Sequence, residues 1–191
     1  AGSSNRLPNP NALNLYTLGY NASKKLMNLN LAVKENLKTY LSQYRLMTDA
    51  VNIKDAYIIN IGMKVNFIAR SGYNKDEVSL RIIERAKQFF NIDRWQINQP
   101  IIIQELAYEL SIVEGVGAIV PPTQDNPKNL SVLITNKYSS AGGYSGNIYD
   151  INYATKDGIV YPSLDPSIFE LKYPNTDIEA RAIGDSVGNQ L

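Results

Sequence analysis

The spacing of apolar residues changes from segment to segment along the chain, and each change marks an element. Leu13, Leu15 and Thr17 alternate with Asn14, Tyr16 and Leu18, which predicts a short strand ending at Gly19. Val33, Leu37, Tyr40, Leu41 and Tyr44 then recur at i, i+4, i+7, i+8 and i+11, one face of a helix, with Asn30 as N-cap and Lys34, Glu35 and Lys38 on the wet side. From Val51 to Arg70 the period falls to two, and β-branched residues at Val51, Ile53, Ile58, Ile59, Ile61, Val65 and Ile68 predict strand. Gly62 interrupts this run and leaves two readings open: two strands joined by a tight turn at Gly62-Met63, or one long strand bent at a bulge.

Asn74 and Glu77 have the spacing of a capping box ahead of a second helix, whose buried face is Val78, Ile82, Ala86, Phe89 and Phe90, with Ile83 beside it. Glu77 and Arg81 form an i,i+4 pair on its exposed side. A shorter helix after Pro100 uses Ile103, Leu106, Ala107 and Leu110 and stops by Gly115; Val116 to Val120 reads as a strand cut off by Pro121-Pro122. Beyond Pro121 the apolar residues come in short bursts, Val132-Leu133-Ile134 and Ile159-Val160-Tyr161, which predicts strands and loops without a long helix. Ser139 to Gly146 reads as a flexible turn or loop tip, and the chain beyond Asp177 as frayed.

These elements predict an α+β fold, a small mixed sheet with helices on one face, for which a ferredoxin-like split βαβ arrangement is the candidate, plus a β- and loop-rich C-terminal arm. The expected organisation is a leader over 1–10, an α+β core over 11–120, a strand- and loop-rich extension over 121–177 that packs on the core or a partner subunit, and a flexible tail over 178–191. Ala1-Gly2-Ser3-Ser4 reads as the remnant of a cleaved tag, so the chain is expected to be part of something longer.

Composition narrows the chemistry. The 191 residues contain 19 Lys+Arg against 18 Asp+Glu, so no basic surplus favours nucleic acid or anionic lipid. No apolar run approaches the roughly 20 residues that span a bilayer, and no membrane partner is expected. Cys and His are absent, which excludes disulfides, thiolate chemistry and every mechanism that needs an imidazole. Zero cysteines fit the cytosol, the cell exterior and a virus particle alike. Asn occurs about twenty times, well above ordinary usage, and Tyr (13) outnumbers Phe (4) and Trp (1) together, so the surface is expected to be rich in amides and phenols.

Motifs for catalysis are few. Glu105 and Glu109 lie i,i+4 on the third helix and could offer two carboxylates to a hydrolase, but a solvated helix face accounts for them and no catalytic residue is assigned. Gly115-Val116-Gly117 lacks the last glycine of a dinucleotide fingerprint, and Gly142-Gly143 lacks the Gly-Lys-Ser/Thr of a phosphate loop. No cofactor or metal is expected. The sequons at Asn21 and Asn129 are what so Asn-rich a chain produces by chance. The aromatic residues carry more. Tyr138, Tyr144, Tyr149, Tyr153, Tyr161 and Tyr173 suit a half-buried protein interface or a sugar platform, with packing over the domain's own core as the competing reading. Trp95, between two helices, is an interface anchor if exposed; if buried, the preferred reading, it closes the core under the helix connection.

Four strings, Tyr40-Leu41-Ser42-Gln43-Tyr44-Arg45, Val51-Asn52-Ile53-Lys54-Asp55-Ala56, Phe90-Asn91-Ile92-Asp93-Arg94-Trp95-Gln96-Ile97-Asn98-Gln99-Pro100 and Tyr161-Pro162-Ser163-Leu164-Asp165-Pro166, resemble in this order the C-terminal part of the J-like baseplate wedge protein of T4-type contractile-tailed phages. The resemblance runs from about Asn11 to Asp177 and departs from that pattern at Ser139 to Gly146 and after Asp177. It implies a virion protein of the tail baseplate, made in the host cytoplasm. Such a subunit forms homodimers through this region and joins other wedge proteins in a ring around the tail tube. It implies no enzyme activity. From the residues alone, a carbohydrate- or receptor-binding module of a tail or surface protein is the alternative.

Overall fold

The structure, a computed structural model, describes residues 13–44 and 51–184, so the expected leader over 1–10 and the last residues of the expected tail lie outside it. The chain divides into two compact units between Ala56 and Tyr57. In the first, β1 (Leu13–Thr17) leads through a small hairpin of β2 (Gly19–Tyr20) and β3 (Leu26–Met27) into α1 (Leu31–Gln43). The chain then returns as β4 (Val51–Asp55), parallel to β1 with Leu13 opposite Val51 and Thr17 opposite Asp55. The Asn21 side chain closes the hairpin by accepting the Ser23 and Lys25 amides, both at 2.9 Å, and Asn30 caps α1 as expected by accepting the Val33 amide at 2.9 Å.

One expectation for α1 fails. None of its residues is buried. The side turned to β4 is marked by half-covered Leu37 and Leu41 and by Lys34, which was expected on the wet side and instead meets the Asp55 carboxylate at 2.6 Å. Val33, Tyr40 and Tyr44, expected on the buried face, are exposed. The stripe is wider than the two-stranded sheet it lies on, and a ribbon this narrow covers only one flank of a helix.

The second unit is built on β5 (Tyr57–Ala69), a strand of 13 residues that passes through Gly62 without a turn or bulge; the one irregularity falls between Ile68 and Ala69. After it come α2 (Lys75–Phe89), β6 (Ile101–Ile102), α3 (Ile103–Ser111), β7 (Val116–Val120) and β8 (Leu133–Asn136). The remainder supplies α4 (Ile151–Ala154), β9 (Thr155–Lys156), β10 (Ile159–Val160), β11 (Ser167–Glu170), α5 (Pro174–Asp177) and β12 (Ile178–Ala182). β5 is flanked on one edge by antiparallel β8 and β7, laid end to end, and on the other by parallel β11 and β12. β6, β10 and β9 form a separate antiparallel ribbon.

Ile59, Ile61, Met63, Val65, Phe67 and Ala69 project from one face of β5 and are all buried. α2 and α3 pack on each other and on β12 and β7, which flank these residues. The buried stripe of α2 is Val78, Ile82 and Ala86, as its periodicity predicts. Asn74 accepts the Asp76 and Glu77 amides, while the Glu77 carboxylate holds Arg81 at 2.6 Å. The fold is α+β with a mixed sheet.

Its connectivity differs from the split βαβ candidate. The strand that follows α2 and α3 returns antiparallel beside β5, and both parallel neighbours of β5 come from beyond residue 160. Residues 121–177 are therefore not an extension to a core that ends at 120, because β8 and β11 fill the edges of the central strand. Nor is the chain frayed from 178. Ile178 is buried opposite Met63, and Ile178–Ala182 continues the edge that β11 begins, since a central strand this long leaves its outer half of peptide groups unpaired without it.

The close approach of α5 to β5 depends on Gly62. A Cβ there would lie 2.6 Å from Lys137 Cε, 2.8 Å from Thr135 Oγ1 and 3.1 Å from the Asp177 carbonyl oxygen. The first two neighbours can swing away; the third is backbone. Gly62→Ala is expected to lower stability by about 1–3 kcal/mol through overpacking, read as a drop in the urea midpoint with unchanged slope.

Candidate functional site

The glycine-rich segment after β8 is a strap fastened to β5. The antiparallel ladder of β8 ends with the Lys137 amide on the Asn60 carbonyl at 2.8 Å. The next carbonyl on that edge, Ile58, is taken by side chains, Ser145 Oγ at 2.7 Å and Asn147 Nδ2 at 2.8 Å. Asn60, fully buried, accepts the Ser145 amide on Oδ1 at 2.8 Å and donates from Nδ2 to the buried Glu170 carboxylate at 2.7 Å. Lys172 Nζ reaches the Gly143 carbonyl at 2.6 Å, and the Tyr144 hydroxyl donates to Asp177 Oδ1 at 2.5 Å. Ser139 to Gly146 is thus pinned at several points and is not an open loop tip.

The predicted interface residues divide into two sets. Trp95 is only 8% exposed and packs against Phe90 and Phe89, with ring centroids at 5.2 and 5.9 Å, so it closes the core beneath the helix connection. Tyr144 is spent on Asp177 and on an edge contact with the Tyr173 ring at 5.4 Å. Tyr149 donates to the Tyr161 carbonyl at 2.6 Å and lies 6.1 Å from the Phe169 ring. Burial pushes the Tyr149 hydroxyl pKa up, and burial followed by the Asp177 hydrogen bond and charge raises that of Tyr144 to about 12. Tyr138, Tyr153, Tyr161 and Tyr173 keep exposed rings, Tyr153 the most at 79%.

Two exposed apolar features were not singled out from the sequence. Leu164 is fully exposed at the apex of the Tyr161-to-Pro166 loop. That loop is held rigid by Ser163, which donates through Oγ to the Asp165 carbonyl at 2.7 Å and through its amide to Ser167 Oγ at 3.1 Å. Its Pro-bounded sequence was the available signal. The other feature is α1, where the exposed Tyr40 and Tyr44 rings stand 5.0 Å apart and the Tyr40 pKa is raised because its hydroxyl donates to Tyr44. Here the amphipathic period was visible, and only the assumption that an apolar stripe is covered by its own chain hid the surface.

Glu105 and Glu109 line a cleft of about 440 Å³ together with Arg85, Arg94, Trp95 and Gln99. Glu109 is ion-paired with Arg85 and Glu105 is exposed, so the two carboxylates sit in different surroundings. Among the described residues no group of three or more acidic side chains gathers as a metal site would require, and no helix is long and apolar enough to cross a membrane. What the geometry defines is an α+β protein that exposes several large phenolic and aliphatic side chains among its polar surface groups. The chain matches no protein-family model and no curated protein.

Replacing Tyr144 by Phe removes a part-buried hydrogen bond to a buried carboxylate and is expected to cost about 1–3 kcal/mol at neutral pH. The pH dependence also has a sign. A phenol ionises near 10 when unfolded and near 12 here, so its contribution is intact below pH 10 and is lost as pH rises toward 12. Denaturation followed by Trp95 fluorescence is expected to show a shallower decline across that window in Tyr144→Phe than in the parent.

Proposed function

We propose that this chain is a structural subunit of the tail baseplate wedge of a contractile-tailed phage, working by homodimerisation and ring assembly around the tail tube. The observation that carries the proposal is the exposed apolar surface of the first unit. Leu13, Tyr20, Met27, Leu31, Val33, Tyr40 and Tyr44 all remain accessible, while only Leu26, Val51 and Ala56 are buried apolar residues among those described there. A two-stranded sheet under one helix is marginal alone, so such a unit gains its stability from a partner. The balance of 19 basic and 18 acidic residues lets identical copies meet without mutual repulsion.

Two of the resemblance strings, both in the second unit, also belong together in space. Asn98, in the string that ends at Pro100, donates its amide to the Ser167 carbonyl at 2.7 Å and accepts the Ser167 amide on Oδ1 at 3.1 Å. Ser167 directly follows the string that ends at Pro166. The two therefore support one rigid block that presents Tyr161 and Leu164 outward, a shape that fits docking to other wedge proteins of the ring.

Light scattering over a concentration series is expected to give twice the 21.3 kDa chain mass. Antibodies raised against the chain are expected to decorate baseplates of the parent particle. A strict monomer that binds immobilised glycans would overturn this reading in favour of a carbohydrate-binding module.

A further inference from the structure

The cleft formed by α2, α3 and the turn that carries Trp95 contains a hydrogen-bond donor that the fold leaves unused. Trp95 is only 8% exposed and its ring packs on Phe89 and Phe90, yet its indole nitrogen is buried with no hydrogen-bond partner among the described residues. A buried N–H without an acceptor is costly and rare. The same residue lines the cleft of about 440 Å³, a volume within the range of small-ligand sites, and the whole of it lies in the second unit. The other lining groups differ in what they have left to offer. Arg85 and Glu109 neutralise each other between α2 and α3. Arg94, adjacent to Trp95 in the chain, is exposed, and its guanidinium has no hydrogen bond or ion pair among the described residues; the same holds for the Glu105 carboxylate. Phe89 and Ile102 supply apolar wall.

We propose that this cleft binds the C-terminal residue of a peptide. One ligand carboxylate answers both outstanding donors, the Arg94 guanidinium and the Trp95 N–H, in charge-assisted hydrogen bonds. The amide N–H of the same ligand residue meets Glu105, which only accepts, and an aliphatic ligand side chain covers Phe89 and Ile102. The indole nitrogen is closed over by its neighbours, so the carboxylate reaches it as side chains at the mouth move, and Arg94 is long and not tied down. A neutral sugar leaves the Arg94 charge unmatched and finds no open indole face, because the Trp95 ring is packed on two phenylalanines. A bare inorganic anion satisfies the donors but has nothing to give Glu105 except repulsion. The assignment concerns the second unit alone and does not rest on the baseplate reading.

Trp95 is the one tryptophan of the chain, so its indole gives a single cross-peak in a proton–nitrogen correlation spectrum of the full chain. The probe is N-acetyl-leucine; N-acetyl-leucinamide is its uncharged counterpart, and the α-amide of N-acetyl-glutamic acid carries its carboxylate on a side chain. N-acetyl-leucine is expected to move the indole resonance downfield, saturably, and to bind at least tenfold more tightly than either of the others. Arg94→Gln is expected to weaken that binding at least tenfold while the unliganded indole resonance stays in place, since the exposed Arg94 side chain holds nothing in the fold. Equal or tighter binding of the glutamic acid α-amide overturns the chain-end assignment in favour of an acidic side chain. An indole resonance that no probe moves, an equal response to N-acetyl-leucinamide, or a response that survives Arg94→Gln overturns the site.

Discussion

The second unit is organised by the hydrogen-bonding demand of one long strand. β5 buries six side chains on its helix-covered face, and the peptide groups buried with them must find partners other than water. No single neighbour is long enough to supply them. The chain meets the demand with pieces: β8 and β7 on one edge, β11 and β12 on the other, each of four or five residues. Where β8 ends and no strand continues, Ser145 and Asn147 complete the edge with side chains. Asn60 stands at that junction and uses its backbone carbonyl and both ends of its amide, so the strap, β8 and β11 all meet at one buried residue. An unpaired polar group there would cost more than any one of these bonds contributes, which is why the segment from 139 to 147 is tied down despite its glycines.

That demand also explains which parts of the architecture could be read in advance. The helices α1, α2 and α3 follow from local spacing and from caps such as Asn30 and Asn74, because the information lies within a few residues of its effect. The run of β-branched residues marks β5 as strand for the same reason. Its partners were not legible, since β11 and β12 carry only short apolar bursts, and nothing in Ser167–Glu170 or Ile178–Ala182 says that they pair in parallel with residues more than a hundred positions earlier. The reading of 178 onward as frayed failed on this point. Gly62 misled in a similar way: its lack of a side chain serves the approach of Lys137, Thr135 and the Asp177 carbonyl, a tertiary need that looks like a chain break in sequence.

The aromatic residues show the limit of residue type as a guide to surface. Tyr144, Tyr149 and Trp95 are chemically suited to an interface, yet each is consumed inside the second unit, by Asp177, by the Tyr161 carbonyl and by two phenylalanines. Tyr40 and Tyr44, read as buried, are exposed. The difference lies in what surrounds them. The second unit has enough layers to enclose its aromatic residues, whereas the first places one helix on two strands and covers only the flank of α1 that bears Lys34, Leu37 and Leu41. Burial is set by the number of elements available to cover a side chain, and one helical period cannot reveal that number.

The abundance of asparagine takes on a different meaning in the folded chain. Read from composition, it pointed to an amide-rich contact surface. In the structure Asn21, Asn30, Asn74 and Asn91 close turns or caps on nearby amides, while Asn126 bridges its own loop through the Pro122 and Leu130 carbonyls. Asn98 adopts a positive φ of 63° and locks the start of β11, and Asn136 and Asn147 serve the edge of β5. These amides replace the regular ladders that a chain of short strands and long connections lacks, a task for which Asn is suited because its side chain mimics a peptide group and tolerates left-handed backbone. The large phenolic and aliphatic side chains that stay accessible include Tyr40 and Tyr44 on α1 and Tyr153, Tyr161 and Leu164 on the second unit. Contacts made through such side chains draw their strength from removing apolar area from water and depend little on ionic strength.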